Sequence, residues 1–118
     1  MIRVLYVDDE PDIREIAELA LSLDPEFEVR TAASGTQALS LAEEWRPAII
    51  LLDVMMPVMD GPAVLSQLRE RGIDTPVLFV TARAQRAEMQ SFSMLDARGV
   101  IAKPFDPVSL AVRVRGFL

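Results

Sequence analysis

The chain has 118 residues, 51% hydrophobic and 25% charged, with a net charge of −6 at pH 7. That suits one domain with one buried core over residues 1–118, and its acidic balance argues against direct nucleic-acid binding, which needs a basic face. It contains no cysteine and no histidine; this excludes disulfides, thiolate or histidine metal sites and Ser-His-Asp triads, so a bound metal must be held by oxygen, which favours Mg²⁺, Mn²⁺ or Ca²⁺.

Apolar runs alternate with helical patterns five times along the chain. Ile2–Val7 reads as the first strand. A helix follows from about Pro11 to Leu23, with Ile13, Ile16, Ala17, Ala20 and Leu21 on one face and Pro11 in its first turn. Phe27–Ala32 alternates apolar and polar residues as a second strand. Ser34 with Gln37 forms a capping box that opens a helix to about Trp45. Ala48–Asp53 is apolar until its last residue, the mark of a central strand covered on both faces. A loop, Val54–Gly61, leads into a helix from Pro62 to about Arg71. Pro76–Thr81 is the fourth strand, Ala84–Leu95 the fourth helix and Gly99–Ala102 a short fifth strand. Asp106 and Pro107 read as N-cap and first helical residue of a fifth helix that runs to the C-terminus.

Five β-α units in this length give an α/β fold: a single doubly wound, five-stranded parallel sheet with helices on both faces. Ligands of such sheets bind beyond the carboxyl ends of the strands, where strand order reverses. Asp8 and Asp9 follow the first strand, Asp53 ends the third, Thr81 ends the fourth, and Lys103 follows the fifth. Lys103 is the only lysine in the chain, which suggests a position that wants a compact ammonium rather than a planar fork. Two adjacent aspartates repel each other if unpaired. They could simply cap the first helix, but one would suffice for that; a divalent cation accounts for both, with Asp53 completing the set. Asp53 is also a candidate nucleophile, since aspartyl phosphates are known covalent intermediates.

These residues and their motifs, Val7-Asp8-Asp9-Glu10, Asp53-Val54-Met55-Met56-Pro57-Val58-Met59-Asp60-Gly61, Val80-Thr81-Ala82 and Lys103-Pro104-Phe105, resemble the receiver domain of bacterial two-component response regulators over essentially the whole chain. The resemblance implies the flavodoxin-like strand order 2-1-3-4-5 and a phospho-accepting signalling switch. Asp53 would be the phosphorylation site, receiving the group from a sensor histidine kinase or histidine phosphotransfer protein. Asp8, Asp9, Asp53 and the backbone carbonyl of Met55 would hold Mg²⁺, with Mn²⁺ an acceptable substitute; Asp9 would bind directly and Asp8 largely through water. Thr81 and Lys103 would each take a phosphoryl oxygen. A cis Lys103–Pro104 peptide is implied, as is an output surface made by the fourth helix, fifth strand and fifth helix. Met55 and Arg83 would flank the approach of water to the phosphorylated aspartate and tune its lifetime.

Two positions depart from the family pattern. The aromatic whose rotation usually accompanies the threonine's movement is replaced by Val100, the switch position. A glycine often found near the end of the fourth helix is replaced by Asp96, a residue that tolerates a left-handed backbone better than most. Other readings fit less well. An aspartate-dependent phosphatase wants a second acid two residues after the nucleophile, where this chain has Met55. A flavin carrier wants a hydroxyl- and glycine-rich loop after the first strand, where Asp8-Asp9-Glu10 would repel a phosphate. A degenerate receiver acting only as an interaction module finds its one support in Val100. The longest uncharged apolar stretch, Ala48–Leu52, is far too short to span a bilayer. No basic region precedes a long apolar segment at the N-terminus, so no membrane contact and a cytoplasmic location are expected. The packed-looking end, Val114 with Phe117 and Leu118, favours a receiver that stands alone over a piece of a longer regulator.

Overall fold

A computed structural model describes residues 1–82 and 96–118. The expected fourth helix, Ala84–Leu95, and Arg83 lie outside the described residues. The strands are β1 (Ile2–Val7), β2 (Phe27–Ala32), β3 (Ile49–Asp53), β4 (Val77–Thr81) and β5 (Gly99–Ala102). They form one parallel sheet in the order β2-β1-β3-β4-β5, as expected. The described helices are α1 (Pro11–Leu21), α2 (Gly35–Glu44), α3 (Gly61–Glu70) and a C-terminal helix, Leu110–Arg115.

Side chains alternate faces along a strand, and the central strands are buried on both. Leu5, Val7, Ile50, Leu52, Val77 and Phe79 therefore enter one core, against Ala38, Leu39 and Ala42 of α2 and Val64, Leu65 and Leu68 of α3. Val4, Tyr6, Ile49, Leu51, Leu78, Val80 and Ile101 enter the other, against α1 and Leu110, Ala111 and Val114 of the C-terminal helix. The sheet's amino end carries Trp45, the only tryptophan. Its ring lies under the guanidiniums of Arg3 and Arg30, 5.7 and 4.9 Å from its centre, and is buried.

The cap expected at Ser34 is present with one adjustment, and the one expected at Asp106 is not. The Ser34 side chain accepts from the Gln37 N–H at 3.2 Å, and Gln37 Oε1 reaches back to the N–H of Ala33 rather than Ser34. Asp60 caps α3 by accepting from the Ala63 N–H at 2.9 Å, so that helix begins one residue earlier than expected. α1 ends two residues early, and Ile16 is 44% exposed rather than in the core. Asp106 does not cap the last helix directly. Its carboxylate accepts from the Val108 N–H and its carbonyl from the Ser109 N–H, at 3.1 and 3.2 Å. Such a local side-chain bond favours a turn over a helix start, and the helix begins only at Leu110. Asp96 is left-handed, φ 65°, as expected.

The loop after β3 holds a feature not expected. Val58 has φ 70° and is fully exposed. A β-branched residue is poorly suited to that region. The loop is closed across it by bonds from the Met59 N–H to the Pro57 carbonyl, 2.7 Å, and from the Gly61 N–H to the Val54 carbonyl, 2.9 Å.

Candidate functional site

Asp8 lies two residues after Tyr6, Asp53 two after Leu51, and Lys103 two after Ile101. Tyr6, Leu51 and Ile101 share the core beneath α1, so the period-two alternation sends all three polar residues toward one side of the sheet's carboxyl end. There they meet. Lys103 Nζ donates to Asp8 Oδ2 at 2.7 Å and lies 3.3 Å from Asp53 Oδ1. Its backbone N–H donates to the Thr81 carbonyl at 2.8 Å. The Lys103–Pro104 peptide is cis, as the family resemblance implies.

Asp8 is fully buried. Its Oδ1 accepts from the Glu10 N–H at 3.0 Å, and Oδ2 accepts from the Tyr6 hydroxyl at 3.2 Å as well as from Lys103. Arg14, from α1, donates to the Asp8 carbonyl at 2.8 Å. Thr81 is also buried. Asp9 is partly exposed, Met55 is exposed at the rim, and Val100 is half-buried against the α2–α3 core. Tyr6 and Arg14 escaped sequence reading; the available signal was a lone hydroxyl in an aliphatic strand, two residues before Asp8 and so on its face.

Burial pushes the Asp53 carboxyl up to about 6, with the nearby Asp8 charge adding to the effect. Lys103 and the Met55 N–H pull in the other direction but do not prevail. Burial alone would lower the Lys103 ammonium's pKa, but the Asp8 hydrogen bond and the charges of Asp53 and Asp8 outweigh it, and it rises. Burial, then Asp8, raises the Tyr6 phenol far above its ordinary value, so it remains a neutral donor.

One oxygen from each of Asp8, Asp9 and Asp53 can be chosen so that all lie within 4.8 Å of one another. An all-oxygen, carboxylate-rich donor set beside an ammonium suits a hard divalent cation such as Mg²⁺, which is commonly bound by one or two carboxylates together with phosphate oxygens and water. The arrangement can therefore gather positive charge around a buried carboxylate nucleophile.

A parallel sheet in this order with carboxylates and a lysine at its carboxyl edge defines the CheY-like class of flavodoxin folds. Residues 4–115 match the response regulator receiver domain, and the chain belongs to that family. It is 40% identical over 116 residues to the probable transcriptional regulator ycf27 of Cyanophora paradoxa, covering 98% of this chain and 48% of that protein. It is 37% identical over 119 residues to the response regulator Rre1 of a Synechocystis species, covering 99% and 52%. The chain thus spans about half the length of the curated relatives it matches. Among solved structures, the chemotaxis protein CheY4 of Vibrio cholerae superposes with a TM-score of 0.91 at 35% identity, covering 100% of this chain and 99% of that one. The receiver domain of the response regulator NarL from Mycobacterium tuberculosis gives 0.89 at 32% identity, covering 98% and 94%.

Proposed function

We propose that this chain takes a phosphoryl group onto Asp53 and, so modified, changes the surface it offers to a partner. The observation that carries the reading is the bridging position of Lys103 Nζ between Asp8 and Asp53 in a buried acidic site. An Asp53 oxygen attacks the phosphorus of a phosphohistidine on a sensor kinase or phosphotransfer protein, in line with the N–P bond. The O–P bond forms as the N–P bond breaks, and its electron pair stays on the imidazole nitrogen. Mg²⁺, held by Asp8, Asp9, Asp53 and the Met55 carbonyl, supplies positive charge against the phosphoryl oxygens when bound. Lys103 Nζ supplies a second positive charge, and the Thr81 hydroxyl donates to another oxygen. Little acid-base chemistry is asked of the protein, in keeping with its lack of histidine.

The phosphoryl group brings about −1.5 to −2 charges. Lys103 moving toward it would shift β5 and the segment after it, and we place the output surface on β5, the C-terminal helix and the fourth helix expected from the sequence. With Val100 in the aromatic's place, that shift proceeds without the usual ring rotation. The phosphodonor has a ready approach beside Lys103: an apolar cavity of about 400 Å³ lined by Ile13, Ile16, Phe105 and Pro107. No helix among the described residues is long and apolar enough to cross a membrane; it is membership of the receiver family that leads us to assign the cytoplasm. The test is incubation with Mg²⁺ and acetyl phosphate followed by intact mass. A single phosphoryl adduct is expected on the wild type and none on Asp53→Asn; full labelling of that variant would overturn the assignment. Asp9→Ala should lose Mg²⁺ binding.

A further inference from the structure

Tyr6 is the only tyrosine in the chain, and it is fully buried in β1 beneath the acidic site. Its hydroxyl donates to Asp8 Oδ2, the same oxygen that accepts from Lys103 Nζ. Asp8 is itself fully buried, and a buried carboxylate left short of donors is costly. In the proposed transfer Lys103 Nζ turns from Asp8 to a phosphoryl oxygen. Among the described residues, the Tyr6 hydroxyl is then the remaining side-chain donor to Asp8 Oδ2.

We infer that Tyr6 is a positioning residue for phosphoryl transfer: its hydroxyl holds Asp8 in place when Lys103 leaves it, and so keeps Asp8 set for Mg²⁺. The inference rests on the phospho-acceptor reading given above. A neutral phenol suits the task. A second cation would cancel the charge for which Asp8 is needed, and an aliphatic residue would offer no proton. The ring is well fixed. Its backbone lies between Thr31 of β2 and Leu51 of β3, and the Phe105 ring meets it edge-on, 6.3 Å between centres at 71°. Phe105 lies two residues after Lys103, so the loop that carries the ammonium also steadies the phenol that relieves it.

Tyr6→Phe removes the hydroxyl and keeps the ring. Calorimetric Mg²⁺ titration in the presence of beryllofluoride, a phosphoryl mimic that draws Lys103 Nζ from Asp8, should show binding weakened by about tenfold, the size of one hydrogen bond to a charged group. At saturating Mg²⁺, the maximal rate of phosphoryl uptake from acetyl phosphate should fall while its half-saturating concentration stays put. A purely structural role would lower the melting temperature and leave these constants alone. A Mg²⁺ constant within about twofold of wild type, well below what one such bond is worth, overturns the inference. Should the variant fail to fold, the wild type decides by NMR: a ¹³C label on the ring's ζ-carbon gives one resonance from the sole tyrosine. It should keep its hydrogen-bonded shift from the metal-free protein to the Mg²⁺–beryllofluoride form. Movement to the shift of an unbonded phenol on adding beryllofluoride would overturn it. Wild-type protein that takes up no phosphoryl group defeats both readings; uptake with an unaffected variant defeats this one alone.

Discussion

Lys103 Nζ lies nearer Asp8, at 2.7 Å, than Asp53, at 3.3 Å. The lysine of the described state is thus held chiefly by the carboxylate that is not the proposed nucleophile. Asp53 keeps enough unrelieved burial for its carboxyl to titrate near about 6, and a pH dependence follows. Its folded pKa is raised above the unfolded value, so the folded state binds the extra proton and the associated stability is present at low pH. That stability is lost as pH rises through about 6. Without metal, wild-type protein should melt higher at pH 5 than at pH 7, relative to Asp53→Asn, which lacks the titrating group. Asp24, lowered chiefly by its hydrogen bond to Arg115, has the opposite sign and acts only at more acid pH. Melts of both proteins across pH 5 to 7 in chelator check this; parallel curves would contradict it.

Gly61→Ala should damage the site from below. A Cβ there would sit 2.7 Å from the Asp53 carbonyl oxygen and 3.0 Å from the Val54 Cα. Neither is the end of a flexible side chain, so backbone must move. We expect a loss of about 1–3 kcal/mol, as for other overpacked positions, with slower phosphoryl uptake. Urea unfolding and the acetyl phosphate assay measure the two effects; a variant as stable as wild type would show that the loop gives way freely.

Val58→Gly should do the reverse. Val58 is left-handed and its side chain touches solvent, so glycine relieves strain at no cost in packing. Set against the greater freedom of glycine when unfolded, the gain should be about 1 kcal/mol. Chemical denaturation checks it, and a destabilised variant would mean that the valine side chain contributes contacts.

The phosphorylated form should hold its group for a long time. Met55, exposed at the rim, cannot orient water, and Arg83 can donate hydrogen bonds to phosphoryl oxygens. The double variant Met55→Asn, Arg83→Ala should lose phosphate faster than wild type after the donor is removed. Decay at the wild-type rate would show that these side chains do not govern water access.

Much of the architecture was legible because burial writes itself into residue type. Ile49–Leu52 is continuously apolar and lies in the centre of the sheet. The solitary lysine and the strand-end aspartates marked the carboxyl edge, and there Lys103, Asp8 and Asp53 converge. What escaped was decided by contacts that propensity does not register. Tyr6 reads as an ordinary strand residue; its spacing from Asp8 puts both on one face, but only the folded backbone brings the hydroxyl within 3.2 Å of the carboxylate. Ile16 followed the helical period, yet α1 buries a narrower stripe, Ala17, Ala20 and Leu21, and leaves Ile16 at the rim of the site's apolar cavity. Val58 is the last residue type expected at positive φ, and only the closure of its loop puts it there.

The indole of Trp45 lies at the amino end of the sheet, between two arginines and far from the carboxyl edge where the carboxylates gather. Its emission should therefore be silent to metal and phosphoryl mimics and respond only when α2 separates from β1 and β2. Tryptophan fluorescence therefore follows the integrity of the fold alone and is blind to the chemistry at the opposite edge of the sheet.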